Sequence, residues 1–552
     1  MEHDAEGDDI TDQKRRNAGQ KRRAERYAGY IVAHALRGQD RHLFCSSHFR
    51  FLSDVVSRPD VAISLETDRF DYVVSCDFIS AHDPTDPSAR RVLTTFGSTP
   101  NVVFTDPDQL STRILFMRGY PSADWINVLG SQYRVDIEFF RQKLGFLDGK
   151  TYYDLPAMPS NSQNILHLKI STIYAREVPL TLSQLRKLRQ SEKRAVRQHQ
   201  RSPSAVGASI FRQVTLVDET SFAVEQDISI YIAHKRDRGR IAIVWLDAGR
   251  ELQHCGPAPW ETELNSEDMV RNDPLPTVRH IPSKMLASAV PPDSLPGSDG
   301  PPPFGSQPPS TSHLAHQYGL TLDHQVASID LSYALGELFL FAACSTTQSL
   351  NLTERRIATL LHDFHGQEEL ALDELNYVMR LLQDRLQHLC DIQSFLHGIG
   401  LGAIGAGNLH PLAVPDTQQQ QRLPKALQAG AMLVEDFTYL HNRATSLIAQ
   451  AKDGMDYVSR RVMLEESRRT ISKADRMERL TLLALFFLPL SFTTSFFGSN
   501  FRELGGTGDL SIWILFATLL PALFLSMVLC FWDGLVGWSR PFRKRSIGGL
   551  IE

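Results

Sequence analysis

With 552 residues, 42% of them hydrophobic and 22% charged, the chain is long enough for two or three soluble units besides any membrane anchor. A formal net charge of −5 is too small to suggest a nucleic-acid partner. Cys45, Cys76, Cys255, Cys344, Cys390 and Cys530 show no C-x-x-C spacing, which argues against a disulfide framework and a zinc site and fits free thiols in a reducing compartment.

Residues 1–26 are polar and highly charged, too poor in large apolar side chains to order themselves, and are expected to be disordered. Residues 27–281 read as a mixed α/β domain. Strands are expected at 101–105, 112–117, 165–174, 213–217, 228–233 and 241–246, the last two forming a hairpin around the charged turn from Lys235 to Arg240. Helices are expected at 136–147 and 182–198; the second is very basic and is read as a solvated face rather than an anion site. A Pro/Ser/Gly-rich stretch, densest at 282–312 and bounded as a linker at 282–315, cannot bury a core.

A helical region spans 316–423. Within it the apolar run 331–344 is short for a membrane span and reads as a buried helix, 353–396 is helical, and 398–421, rich in Gly and Gln, is a flexible break. From 424 to 479 a stalk helix is expected. Leu433, Phe437, Leu440, Ala444, Leu447, Ala451, Met455, Val458 and Val462 recur mostly at steps of four and three and line one face, a coiled-coil-like pattern. No proline interrupts the path from Lys425 until after Leu488, so the stalk is expected to run into the next segment as one rod of roughly 100 Å, with Gly430 and Gly454 as weak points.

Residues 480–498 and 510–532 carry no charged side chain, and each is long enough to cross a hydrocarbon core. Arg468, Arg469, Lys473, Arg476 and Arg479 precede the first, and Arg540, Arg543, Lys544 and Arg545 follow the second in the tail 533–552. The intervening turn 499–509 holds only Arg502 as a base, so both termini are expected on the cytosolic side. Glu2, Asp4, Glu6, Asp8 and Asp9 stand before any apolar run, unlike a secretory signal or a mitochondrial presequence, so insertion is expected to rely on the C-terminal spans. The fold class is therefore an α+β cytosolic domain followed by a long stalk helix continuous with the first of two C-terminal transmembrane helices.

Leu488-Pro489-Leu490-Ser491-Phe492 followed by Phe497-Gly498-Ser499-Asn500-Phe501 resembles the end of the first transmembrane helix of CorA-type magnesium transporters, whose signature is Gly-Met-Asn after an aromatic residue. The order of parts extends the resemblance over the C-terminal third, and the N-terminal half resembles the divergent cytosolic domains of fungal CorA-like proteins. The resemblance implies a homo-oligomer, five chains around one pore in a bilayer, with Mg²⁺ or another divalent cation as transported and regulatory ion and no organic cofactor. The plasma membrane is favoured over the mitochondrial inner membrane. Gly498, Ser499 and Asn500 would form the selectivity turn, Asn500 holding the hydrated ion through its water shell. Counting back, Met477, Leu480, Ala484, Leu488, Ser491 and Ser495 match the family's pore wall, and Arg540, Arg543, Lys544 and Arg545 a basic ring. Glu435, Asp436, Asp453 and Asp456 are candidates for regulatory metal binding between subunits. Pro489 and Pro521 permit bends in the two spans.

Two departures stand out: Ser499 replaces the family's Met, and the turn has only Glu503 and Asp509 as acids, with Arg502 beside the mouth. They motivate an alternative, a non-conducting membrane-anchored scaffold or divalent-ion sensor. The group His362, Asp363, Phe364, His365, with Glu368 and Glu369, lacks a third ligand fixed by spacing and reads as surface. With no nucleotide-binding loop, nucleophile elbow or zinc-protease motif, an enzyme is not expected.

Overall fold

A computed structural model describes residues 2–37, 46–58, 70–80, 89–100, 111–147, 162–176, 178–201, 206–233, 240–250, 272–279, 309–362, 366–398, 417–497 and 511–538. The chain divides into two compact units, Met1–Gly454 and Met455–Glu552.

The first unit is built on a sheet of β1 (Val73–Ile79), β2 (Arg90–Phe96), β3 (Ser111–Arg118), β4 (Ile165–Arg176), β5 (Gln213–Leu216), β6 (Ser221–Ala233), β7 (Arg240–Leu246) and β8 (Asn272–Pro274). Their spatial order is β2-β1-β3-β7-β6-β4-β8, with β5 added beside β6; the β3–β7 pair is parallel and the other pairs are antiparallel. Near-continuous apolar runs such as Ile241 to Leu246 suit this centre, because the strands are covered on both faces. The β6–β7 hairpin forms as expected from the sequence.

Alternate strand residues address two helical layers. Val73, Leu115, Met117, Ile243 and Trp245 share a core with residues of α1 (Glu2–Ala35), α2 (Arg50–Ser57), α3 (Ala123–Tyr133) and α4 (Ile137–Leu144). On the other face Phe116 meets Tyr318 edge-on at 5.0 Å and Cys76 donates to the Tyr318 carbonyl. Tyr318 lies between α6 (Ser310–Gln317) and α7 (His324–Ile329), and α8 (Leu331–His362) and α9 (Glu368–Gly398) complete that layer.

α1 corrects the expectation of a disordered tail over 1–26. Ala24, Ile31 and Ala35 are buried at helical spacing, and the Tyr27 hydroxyl donates to the Val135 carbonyl at 2.9 Å. A Cβ on Gly130 would come within 2.3 Å of the Tyr27 ring, so a glycine is required where α1 crosses α3. The apolar side chains are few but lie on one face, which a composition average hides. α6 begins at Ser310, inside the expected linker, and α10 (Thr417–Phe497) begins inside the expected break at 398–421. The strand expected at 101–105 lies outside the described residues, as does most of the linker.

A buried ionic cluster sits within this domain. Asp247 receives Lys143 at 2.6 Å and both Nε and Nη2 of Arg212 at 2.6 and 2.9 Å, while the Asp227 backbone N–H donates to it at 2.7 Å. Burial alone would push the Asp247 carboxyl up, but Arg212 and Lys143 hold it low. Burial outweighs Asp247 at Lys143, whose ammonium is pulled down to about 8. Nearby His167, held between Ser229 and Gln142, is pushed down to about 3 by burial and then by Lys143 and Arg212, so it is neutral.

Candidate ion-conduction helix

α10 continues without interruption from the helical layer of the first unit into the uncharged segment, in keeping with the proline-free path through Leu488. Its first half is held by its own chain. Leu433, Phe437, Leu440, Ala444, Leu447 and Ala451 are buried, Phe437 meeting the Phe339 ring of α8 at 6.3 Å and 89°, and Arg443 reaching Asn351 at 2.6 Å and Glu354 at 2.5 Å. The coiled-coil-like stripe is thus occupied within one chain over these positions. Met432 and Tyr439, on the outer side, are exposed.

In the second unit the expected pore-wall residues fall on one side of α10. At 100° per residue, Met477, Leu480, Ala484, Leu488, Ser491 and Ser495 lie within an arc of about 80°. All six are exposed, Leu488 at 69%. Thr493 lies on the opposite side of the helix and is buried, as is Leu519 on α11 (Ile512–Trp538); they are the two buried positions among the described residues beyond 458. Phe487, Phe492, Trp513, Leu520 and Phe524 are also largely exposed, an apolar surface far beyond what a water-facing helix pair carries. Pro489 supplies no N–H to the helix ladder, and one turn on the Thr493 and Thr494 hydroxyls donate to the Leu490 carbonyl at 3.0 and 2.8 Å. Among the described residues one helix is long and apolar enough to cross a membrane, Pro424–Ser495, and Trp513–Leu525 is a shorter apolar helix.

The turn Gly498, Ser499 and Asn500 and the basic positions Arg540, Arg543, Lys544 and Arg545 lie outside the described residues. Glu435, Asp436, Asp453 and Asp456 are exposed on α10. Partial burial, then the neighbouring Glu435, raises the Asp436 carboxyl, so the position would gain from a cation. Among the described residues no group of three or more His, Cys, Asp or Glu is placed to hold a metal within one chain. His362 closes α8, and His365 is outside the described residues.

Sequence reasoning missed the polar seam that ties these helices to the sheet. Arg385 of α9 reaches Glu225 and Ser171 at 2.7 Å each, and the Ser345 hydroxyl of α8 bridges the Ser171 N–H and carbonyl of β4 at 2.9 and 3.0 Å. The Lys169 N–H donates to His388, and Lys169 Nζ pairs with Asp384 at 2.9 Å. A signal was present: Glu374, Arg385 and His388 fall on the same stripe as Ala371, Leu375, Val378, Leu382 and Leu389, and a charged residue on an apolar stripe needs a partner.

Residues 353–532 match the family model described as CorA-like Mg²⁺ transporter protein. No curated protein matches the chain. The match opens in the last third of α8 and covers α9, α10 and most of α11, leaving the sheet outside it. Residues 353–532 are therefore similar to a CorA-like Mg²⁺ transporter domain, and a mixed α/β domain precedes them in the sequence.

Proposed function

We propose that the protein is a homo-oligomeric CorA-like channel that passes Mg²⁺ or a related divalent cation through a membrane down its electrochemical gradient. The observation that carries this reading is the single helix α10, which leaves the first unit and presents Met477, Leu480, Ala484, Leu488, Ser491 and Ser495 as one exposed face inside a family-matched region. In the assembly, most simply a pentamer, this face lines the pore and α11 forms the second span. Both termini then lie on the cytosolic side of what is best read as a plasma membrane, with Arg540, Arg543, Lys544 and Arg545 ringing the inner mouth.

The chemistry follows from the ion. Mg²⁺ sheds its water reluctantly, so the outer mouth has to recognise a hydrated ion; a ring of Asn500 amides does this by hydrogen bonding to bound water, with Gly498 giving the backbone freedom to turn. Ser491 and Ser495 hydroxyls line the next turns, while rings of Leu488, Leu480 and Met477 close the path by excluding water. Glu435, Asp436, Asp453 and Asp456 gather only if neighbouring chains bring them together, which makes them an intersubunit regulatory site. No catalytic residue is assigned.

Ser499 favours a second reading, a non-conducting membrane-anchored scaffold or divalent-ion sensor, because a small hydroxyl cannot pack beneath the Asn500 ring as methionine does. Mg²⁺ flux into liposomes decides between them. Flux from the unmodified protein that is lost in a correctly assembled Asn500→Ala variant supports the channel. No flux from an intact oligomer, even after Ser499→Met, supports the scaffold.

A further inference from the structure

The helix α5 (Leu182–Arg201) meets the CorA-like domain at a cluster of charges whose arrangement is contested. Arg189 lies at its centre. Its Nε and Nη2 donate to the carbonyls of Leu216 and Val217 at 2.9 and 3.0 Å, its Nη1 pairs with Glu374 of α9, and its guanidinium stacks on the Tyr377 ring at 4.0 Å. Glu374 is shared with Arg356 of α8 at 2.8 Å, and Arg356 also reaches Glu219, in the turn between β5 and β6, at 3.2 Å. One turn along α5 from Arg189 stands Glu192, largely buried. Its Oε2 is buried without a hydrogen-bond partner, and the Glu192 charge acts on the buried Tyr377 hydroxyl.

Two carboxylates, Glu192 and Glu374, therefore stand by one guanidinium that is committed to the second. We propose that Glu192 is a protonation switch for the seam between α5 and the CorA-like domain: neutral, it leaves Arg189 locked to Glu374, and ionised, it competes for Arg189 and loosens α5 from α9. Burial raises the Glu192 carboxyl from 4.5 to about 7, against the opposing influence of Arg189, Lys193 and a backbone hydrogen bond from Leu216. Glu374 does not compete for the proton: burial raises its carboxyl, but the hydrogen bonds from Arg189 and Arg356 more than reverse that. Asp218, in the turn beside Glu219, faces Arg356. The histidine of α5 is His199, two turns beyond Glu192, with its ring 5.7 Å from Phe211.

The sign is fixed by linkage. The closed seam favours the neutral acid, so it is tightest below the free carboxyl's value, loosens as pH rises through 7 and levels off about one pH unit above that. For a free value of 4.5 and a closed value near 7, the local opening constant rises about twentyfold between pH 5.5 and 7.5.

The test is hydrogen exchange on the full-length protein in detergent micelles, corrected for the intrinsic pH dependence of exchange, read at amides 186–196 and 371–380. The wild type should show the rise, Glu192→Gln should flatten it at the low-pH level, and His199→Gln should leave it in place. A flat wild-type profile overturns the proposal whatever the variants do, and so does a rise that survives in Glu192→Gln or disappears in His199→Gln. Local opening is read rather than flux, so the result stands apart from whether the protein conducts.

Discussion

Phe437→Ala tests whether the stalk stripe is a feature of one chain or of the assembly. The ring is fully buried, edge-on to Phe339 of α8, which in turn stacks on Phe395 of α9 at 6.4 Å and 28°. Removing a buried phenylalanine costs about 3–5 kcal/mol, of which roughly 1 kcal/mol belongs to the aromatic edge contact. A loss of about 4 kcal/mol is a large part of the stability of an ordinary domain. Hydrogen exchange at amides 335–346 of α8 in the full-length protein should accelerate by roughly three orders of magnitude, equally at tenfold different protein concentrations, because the partner side chains are intrachain. Exposed Tyr439→Ala, two residues on and on the outer face, should leave those amides within about 0.5 kcal/mol. The reasoning fails if Phe437→Ala costs under about 1 kcal/mol there, or if its only effect is dissociation of the oligomer.

Asp247→Asn should destabilise the first unit by about 3 kcal/mol, since it leaves the buried Lys143 ammonium without its carboxylate and Arg212 with Asp227 alone, at 3.2 Å; chemical denaturation at pH 7 measures this. It also has a pH signature. Lys143 titrates near 8 when folded and near 10.5 when free, so the folded state holds fewer protons between those values and its stability gains with rising pH across that window. Without the Asp247 carboxylate the ammonium falls further, and the gain should begin below pH 8; an unchanged profile between pH 7 and 9 counts against the assignment. Gly454→Ala sets two effects against each other: alanine favours a helix interior by about 1 kcal/mol, but its Cβ would sit 2.7 Å from Leu361 Cδ2 and 3.4 Å from its Cγ, which displaces a whole side chain at about 1–3 kcal/mol. A net loss of about 1 kcal/mol is expected, and a raised melting temperature would show that Leu361 moves freely.

The parts legible in the sequence share a physical cause. Strands β3, β4, β6 and β7 carry apolar runs because they lie deep in the sheet, and α10 is legible because nothing in the proline-free stretch before Pro489 breaks a helix. The missed strand β1 breaks its apolar run with Ser75, Cys76 and Asp77. Asp77 is tolerated because its register partner on β3 is Arg113, which binds it at 2.6 and 3.1 Å. A pairing between strands 36 residues apart has no local trace. The heptad-like stripe gave the opposite difficulty: its period announces a helix partner but not whose, and the partner proved to be α8 and α9 of the same chain. At the candidate site helical spacing placed Met477, Leu480, Ala484, Leu488, Ser491 and Ser495 on one side of α10, whereas the seam charges were not read, since ion pairs such as Arg189–Glu374 and Arg385–Glu225 join residues more than 150 positions apart.

Why α8 and α9 should dock on the sheet through ions is a question of what ions supply. Desolvating Arg385, Glu225, Arg356 and Glu374 consumes most of what their pairing returns, so these contacts add little net stability over apolar side chains of equal volume. The attraction between the layers comes instead from Leu338, Leu375, Val378, Leu382 and their neighbours, which are buried but directionally indifferent. An apolar stripe alone would let α8 and α9 slide by a turn at small cost. Ser345 bridging both backbone groups of Ser171, and Arg385 spanning Ser171 and Glu225, admit one register, because a slip leaves each buried charge without its partner at several kcal/mol. The polar seam thus fixes where the helices sit and the apolar stripe fixes that they stay. In the first unit, the half of α10 that leads to the uncharged segment rests on a base whose position is set by ionic register. A group such as Glu192, able to withdraw Arg189 from that seam, acts on the register rather than on the bulk of the packing energy.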